Sequence, residues 1–338
     1  MNEREIITHI ASIAARSGTG ELIKGIGDDC AVVNRDGHRA WLLTLDTLIE
    51  SVHFDCAFHP PQKLGRKAVS VNVSDIGAMG GKPLFALMSV GMPHSFDPVW
   101  FQAFAQGVAD ACAEYGCLLI GGDTVASPQG LNFSLTLIGE AEAGKVVYRS
   151  GAQPGDTIWV SGPLGLAAAG LELLQRGIGD NEEGFLPLLE KHLNPRARVV
   201  LGGRLGESGL VHSMMDLSDG LATDLAHLCA ASGVGGQFHA EKLPGSQLLV
   251  QAARLTGHDP LGWAIGGGED FELLFTAAPE SESRILQIGH DCGLTLIPIG
   301  TITIGDGVSM LRTLPDGTTM AQSVSYLGFD HFRDAFQG

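Results

Sequence analysis

Basic residues are scarce in this 338-residue chain: 21 Lys and Arg stand against 38 Asp and Glu, a formal net charge of -17. A field of that sign repels polyanions, which excludes nucleic acid and acidic membrane surfaces as expected partners. Cysteine is sparse as well. The six (Cys30, Cys56, Cys112, Cys117, Cys229, Cys292) show no C-x-x-C spacing, so no zinc site or redox pair is expected, and they read as buried thiols of a protein in the reducing cytoplasm. No apolar run is long enough to cross a bilayer, and Met1–Arg16 mixes charges into a helical pattern without the apolar core of a signal peptide. Two nucleotide signatures are also missing. Gly25-Ile26-Gly27-Asp28-Asp29-Cys30 begins like G-x-G-x-x-G but lacks the last glycine, with no clear strand before it, and Gly81-Lys82 is followed by Pro83 with Ile76 where a phosphate loop needs its first glycine.

A hydrophobic share of 44% with 17% charged residues describes a packed globular chain. Its length exceeds what one core of roughly 250–300 residues usually supports, so two domains are expected. Trp41–Leu45 reads as a strand ending at Asp46, and Cys117–Ile120 as one ending at Gly121-Gly122-Asp123. Leu131–Ala141 and Asp156–Ser161 read as further strands, and Leu64–Met79 and Pro98–Tyr115 as helices. This alternation continues from Leu164 onward and favours an α/β or α+β scaffold. The turn Gln153-Pro154-Gly155 marks the expected boundary between domains 1–150 and 151–338.

Aspartates beside glycine or at expected strand ends recur along the chain: Asp28, Asp29, Asp46, Asp75, Asp123, Asp216 and Asp219. Asp75 stands in a helical stretch whose neighbouring turns are apolar or small, where an unpaired carboxylate is costly. Carboxylates converging without lysine or arginine repel by roughly 1 kcal/mol per close pair even in water. A hard divalent cation removes that penalty. Oxygen donors without a His/Cys cluster point to Mg²⁺, which commonly works jointly with substrate phosphates. In the second half, Met214–Gly220 reads as a strand handing over to a helix, Leu221–Ala231, whose free N–H groups favour phosphate, while Asp219 taken alone reads as that helix's N-cap. Arg149, by itself an ordinary surface arginine, is placed near the boundary to grip a phosphoryl group.

Taken in order, Gly25–Asp29, Thr44–Thr47 with His53-Phe54, Asn72–Gly81, Gly121–Thr124, Arg149–Ala152, Asp216–Gly220 and Gly268–Leu273 resemble the motif series of the thiamine-monophosphate kinases, and the series spans nearly the whole chain. The resemblance implies the two-domain fold shared with aminoimidazole ribonucleotide synthetase, a homodimer whose N-terminal domains complete a β-barrel across the subunits, and ATP-dependent phosphorylation of thiamine monophosphate to thiamine diphosphate. Motif by motif, it implies Mg²⁺ ligands at Asp29, Thr44, Asp46, Asp75, Asp123, Asp216 and Asp219, with Leu45 able to offer only its backbone carbonyl where a threonine is common. It further implies ATP contacts at Gly122, Asp123, Arg149 and Ser218, catalytic roles for Arg149 and Asp219, and thiamine monophosphate contacts at His53, Glu269 and Phe329. Ala105 stands where family members often carry a tyrosine, which leaves the adenine without that aromatic contact.

An acceptor that is itself a phosphate is already deprotonated at neutral pH, so direct in-line transfer needs positioning and charge neutralisation rather than a general base. The alternatives are another ATP-dependent enzyme of the same fold, or a nucleotide sensor without turnover. A selenophosphate synthetase would want a reactive cysteine or selenocysteine near the N-terminus and a hydrogenase maturation factor one at the C-terminal end. Here the first cysteine lies within the Gly-Asp-Asp motif and the chain ends Ala335-Phe336-Gln337-Gly338.

Overall fold

The structure, a computed structural model, describes residues 3–14, 20–179, 184–314 and 316–328. Helix α1 (Glu3–Ala14) precedes a first sheet of β1 (Leu22–Lys24), β2 (Ala31–Asn34), β3 (Arg39–Ile49), β4 (Lys82–Met92), β5 (Leu118–Ala126) and β6 (Asn132–Glu142), with helices α2 (Pro61–Ala78) and α3 (Pro98–Tyr115) between its strands. The strands lie in the order β1-β2-β3-β6-β4-β5, antiparallel except for the parallel pair β4–β5. Strand periodicity gives the sheet two unlike faces. Along β3, Ala40, Leu42, Thr44 and Leu48 are buried, whereas Leu45 and Ile49, at odd positions on the other face, are exposed.

The second half holds β7 (Thr157–Val160), α4 (Leu166–Gln175), α5 (Leu186–Leu193), α6 (Val199–Ser208), β8 (Val211–Asp216), α7 (Leu221–Ser232), β9 (Gly235–His239), α8 (Gln247–Thr256), α9 (Pro260–Gly266), β10 (Leu273–Ala277), α10 (Glu282–Asp291), β11 (Ile297–Thr303), β12 (Val308–Thr313) and β13 (Thr319–Ser323). Its seven strands run β13-β12-β9-β11-β7-β10-β8, again mixed, with only β9–β12 parallel. Each sheet carries its own buried apolar cluster.

Helix α2 joins the halves. Its β-branched and small polar residues (Val69, Ser70, Val71, Asn72, Val73, Ser74) are poor helix formers, so tertiary burial rather than propensity maintains it. Two glycines allow neighbours to come close enough to bury it: a Cβ on Gly107 of α3 would lie 1.9 Å from the Gln62 carbonyl oxygen, and one on Gly202 of α6 would lie 1.9 Å from that of Gly77. Proline at its first turn supplies a fixed φ where an N–H partner is not needed.

Three expectations change. Asp46 and Asp123 lie within strands rather than at their ends, because β6 and β4 continue the ladder past each of them, to Ile49 and Ala126. A short strand, β1, does precede Gly25, but bends and then strand β2 follow it instead of a helix, so no dinucleotide turn forms. Finally, the N-cap of α7 is Gly220, not Asp219. Asp224, one turn in, reaches back to accept from the N–H groups of Asp219 and Gly220 at 3.2 and 3.1 Å, taking the place a capping side chain would fill.

Candidate active site

A cavity of about 830 Å³ opens between the halves. On one wall, β3 turns Thr44 and Asp46 toward α2, where the Asn72 side chain accepts from the Asp46 N–H at 3.1 Å and the Thr44 hydroxyl donates to Asp75 at 2.5 Å. The end of β8 brings Asp216 to the same place, and the Ser74 hydroxyl of α2 donates to it across the seam. Asp29, from the β1–β2 loop, completes the group: single carboxylate oxygens of Asp29, Asp75 and Asp216 lie within 4.8 Å of one another. Asp46, Asp75, Asp216, Ser218 and Asp219 all line the cavity.

Arg149, on the strap between the sheets, donates to Asp29 Oδ1 from Nε and a terminal nitrogen at 3.0 and 2.5 Å, while its backbone N–H binds Asp28. One arginine does not balance the acids. Burial, outweighing Arg149 and reinforced by Asp216, pushes the Asp29 carboxyl up to about 7. Burial and then the Asp219 charge raise Asp46 to about 6, and burial, against Ser74 and Arg149, raises Asp216 to about 6. Asp75 is held well above the usual carboxylate range by burial and by Asp46, Asp216 and Asp29. Buried oxygens of Asp28 and Asp29 find no hydrogen-bond donor among the described residues. Converging oxygen donors, mutually repelling and partly unpartnered, fit a hard divalent cation such as Mg²⁺.

The opposite wall is formed by the loop after α9. Glu269 and Phe271 hold φ of 65° and 47°, a region non-glycine residues rarely adopt. The loop is pinned there by the Glu269 N–H on Ser218 O at 2.7 Å and the Phe271 N–H on Leu217 O at 2.8 Å. Trp263 and Phe58 add flat apolar surface to the cavity lining. At its mouth His53 accepts from the Ile49 N–H through Nδ1 at 3.0 Å, which places the ring proton on Nε2.

Of the residues expected at the site, His53, Asp46, Asp75, Asp216, Ser218, Asp219 and Glu269 line one cavity, with Asp29, Thr44 and Arg149 directly behind it. Leu45 is 60% exposed, on the outer face of the sheet away from Thr44 and Asp46. Gly122 and Asp123 are not brought in: they sit on β5, exposed, with Asp123 accepting from the Thr124 N–H. The register Asp46–Leu135–Met88–Gly122 puts Gly122 three strands from Asp46, roughly 14 Å at about 4.8 Å per strand. Phe329 lies outside the described residues.

Sequence reasoning missed Asp224, Lys67 and His192. Lys67 could have been found from helical phase, since it follows Leu64 by three residues and precedes Val71 by four, on the buried stripe of α2. His192 lines the cavity, and the ring of buried His59 lies beside it, with centroids 6.0 Å apart. Burial, then the charge of Lys67, pulls His59 down to about 3 and lowers His192 in the same way. Both are held neutral below the pH at which an unfolded histidine gains its proton, near 6.5, so their stabilising contribution is full above that value and is lost as pH falls below it, for His59 down to about 3. Thermal melts between pH 7 and 5 will show this fall, and His59→Phe will flatten it by up to about 1.4 kcal/mol per pH unit.

Family models for AIR synthase related proteins match the chain twice, the N-terminal domain over residues 27–141 and the C-terminal domain over 153–311. The thiamine-monophosphate kinase of Salmonella typhimurium is 35% identical over 94% of this chain and 94% of its own, and that of Aquifex aeolicus 38% identical over 84% and 88%. Among solved structures, AaThiL complexed with AMPPCP and TMP superposes with a TM-score of 0.85 at 36% identity, covering 98% of this chain and 97% of the other. A hydrogenase maturation protein, HypE, at 18% identity and a TM-score of 0.70, shares the fold alone. With two domain models in tandem and relatives matched over nearly their full length, the chain belongs to the thiamine-monophosphate kinase family of AIR synthase related proteins.

Proposed function

We propose that the protein transfers the γ-phosphoryl group of ATP to thiamine monophosphate, giving ADP and thiamine diphosphate. The observation that carries this reading is the convergence of Asp29, Asp75 and Asp216 beside a cavity whose far wall bears Trp263, Phe271 and Glu269. One end suits phosphates held through a cation, the other a flat ring with amine donors. Asp29, Thr44, the Leu45 carbonyl, Asp46, Asp75, Asp123, Asp216 and Asp219 would hold Mg²⁺. Bound there, Mg²⁺ would neutralise phosphate oxygens of both substrates.

The chain's own groups do the positioning. Arg149 leaves Asp29 to grip the γ-phosphoryl group, with Asp219 as its catalytic partner on the metal side and Ser218 and Gly122 against the ATP. His53 donates from Nε2 to the acceptor phosphate, Glu269 accepts from the aminopyrimidine, and Phe329 stacks on a ring of the substrate. An acceptor phosphate oxygen forms the new P–O bond as the bond between the γ-phosphorus and the β–γ bridging oxygen breaks, in line and without a general base. Chromatography of reactions with Mg-ATP tests this: thiamine diphosphate from thiamine monophosphate, and no phosphorylated product from thiamine, is the expected result. Tight ATP binding without any thiamine diphosphate overturns it.

The same reading makes the protein a cytoplasmic homodimer, with domains 1–150 and 151–338 and the N-terminal sheets of two copies closing into a β-barrel. Exposed Leu45, Ile49 and Leu87, together with Leu118, Ile120 and Val125 on the edge strand β5, support it, since a long apolar edge is a template for pairing with another chain. Such pairing is how Gly122 and Asp123 would reach a site. Ile120→Glu, burying an unpaired charge, is expected to weaken self-association by roughly 3–5 kcal/mol. Light scattering will then report a monomer, with activity lost alongside.

A further inference from the structure

We infer that Lys67 is a positioning residue for the acceptor: it fixes the Glu269 carboxylate as a hydrogen-bond acceptor on the cavity wall, and so selects a ring that bears an exocyclic amine. This rests on the reading of the cavity as the thiamine monophosphate site. The Lys67 side chain is fully buried, and its ammonium lies 2.8 Å from Glu269 Oε1, its one ion-pair partner among the described residues. His192 Nδ1 lies 3.0 Å from the other oxygen, Oε2.

A lysine with no water contact is costly unless it is paired, and an apolar side chain would fill the same space on α2 without that cost. What the lysine adds is control of Glu269. Its backbone is held in the left-handed region by the bond to Ser218, and each carboxylate oxygen is met from beneath by one cationic or ring nitrogen. Both contacts are close ion-pair approaches without hydrogen-bond geometry, since Lys67 Nζ and His192 Nδ1 have no hydrogen-bond partner among the described residues; the carboxylate lone pairs therefore stay available to the cavity, into which the side chain is 28% exposed. Burial alone would raise the Glu269 carboxyl, but the charges of Lys67 and His192 overcome it and hold the group below its ordinary range. Glu269 therefore presents acceptors and no donor. It rewards an amine on the ring and penalises a carbonyl at the same position, which would face those lone pairs.

The test is kinetic and calorimetric, on wild type, Lys67→Met, Glu269→Gln and the double variant, with thiamine monophosphate and with oxythiamine monophosphate, in which a carbonyl replaces the amine. Lys67→Met is expected to raise the KM for thiamine monophosphate and its calorimetric Kd at least about tenfold, leave the KM for ATP within about twofold, and narrow the amine-to-carbonyl preference. Added to Glu269→Gln it will change nothing further, because Lys67 acts through Glu269. Should Lys67→Met fail to fold around its unpaired carboxylate, the double variant, which removes both charges, is compared with Glu269→Gln alone. Unchanged KM and preference in Lys67→Met, or effects that multiply in the double variant, overturn the inference. A wild-type protein that neither binds nor phosphorylates thiamine monophosphate overturns the reading of the cavity itself, a separate and recognisable outcome.

Discussion

Asp75→Asn is expected to lower kcat/KM by about a thousandfold or more, while leaving the metal-free protein at pH 8 more stable than wild type. Asp75 sits at the centre of the cluster, with Asp46, Asp216 and Asp29 all raising its carboxyl further above a level already set by burial. The amide keeps an oxygen for the Thr44 hydroxyl but removes one negative charge from a group within 4.8 Å of two others. Relief of repulsion on the order of 1 kcal/mol or more corresponds to a rise of about 2–4 °C in Tm. On the proposed function the same charge draws a divalent cation to this point, so the stabilised variant is expected to be the inactive one. Differential scanning calorimetry with and without Mg²⁺ checks both halves: Mg²⁺ will raise the Tm of wild type strongly and that of the variant little.

Arg149→Met is expected to act on the same cluster with the opposite sign. Among the described residues Arg149 is the one cation bonded to Asp29, and its loss leaves a buried carboxylate without that offset. The metal-free variant will therefore melt below wild type. In turnover kcat will fall by about 10²–10³, the cost typical of removing one donor from a developing charge, with the KM for thiamine monophosphate little changed. Arg149→Lys will recover only part of the rate, because a point-like ammonium cannot reproduce the two-pronged contact of the guanidinium. A variant that melts above wild type, or that retains full kcat, would remove Arg149 from both roles.

The convergence of acids at this site was partly legible in the sequence because its carboxylates announce themselves chemically. Asp29 and Asp216 lie in glycine-flanked motifs, and Asp75 is an acid on a helix whose other residues demand burial, a conflict only a partner resolves. The helix Pro98–Tyr115 was readable to the residue, fixed by proline at its start and Gly116 at its end. Strand ends were not, since apolar runs stop at Asp46 and Gly121 while hydrogen bonding continues wherever a neighbouring strand is long enough. Asp224 escaped because a side chain reaching back across a turn leaves no fixed spacing to its donors. Lys67 was passed over for its own chemistry, although its helical phase put it on the buried stripe of α2. Read alone it is a solvated surface cation, and only the tertiary approach of Glu269, 202 residues further along the chain, makes its burial tolerable.

If the carboxylate cluster passes a phosphoryl group between two bound phosphates by holding a divalent cation, transfer depends on that ion. Label from [γ-³²P]ATP is followed into thiamine diphosphate with metal-stripped protein, before and after Mg²⁺ is restored. Label that enters thiamine diphosphate only with Mg²⁺, and never becomes attached to the protein, is the expected result. Transfer that proceeds without any divalent cation, or a phosphorylated protein formed on the way, would contradict it.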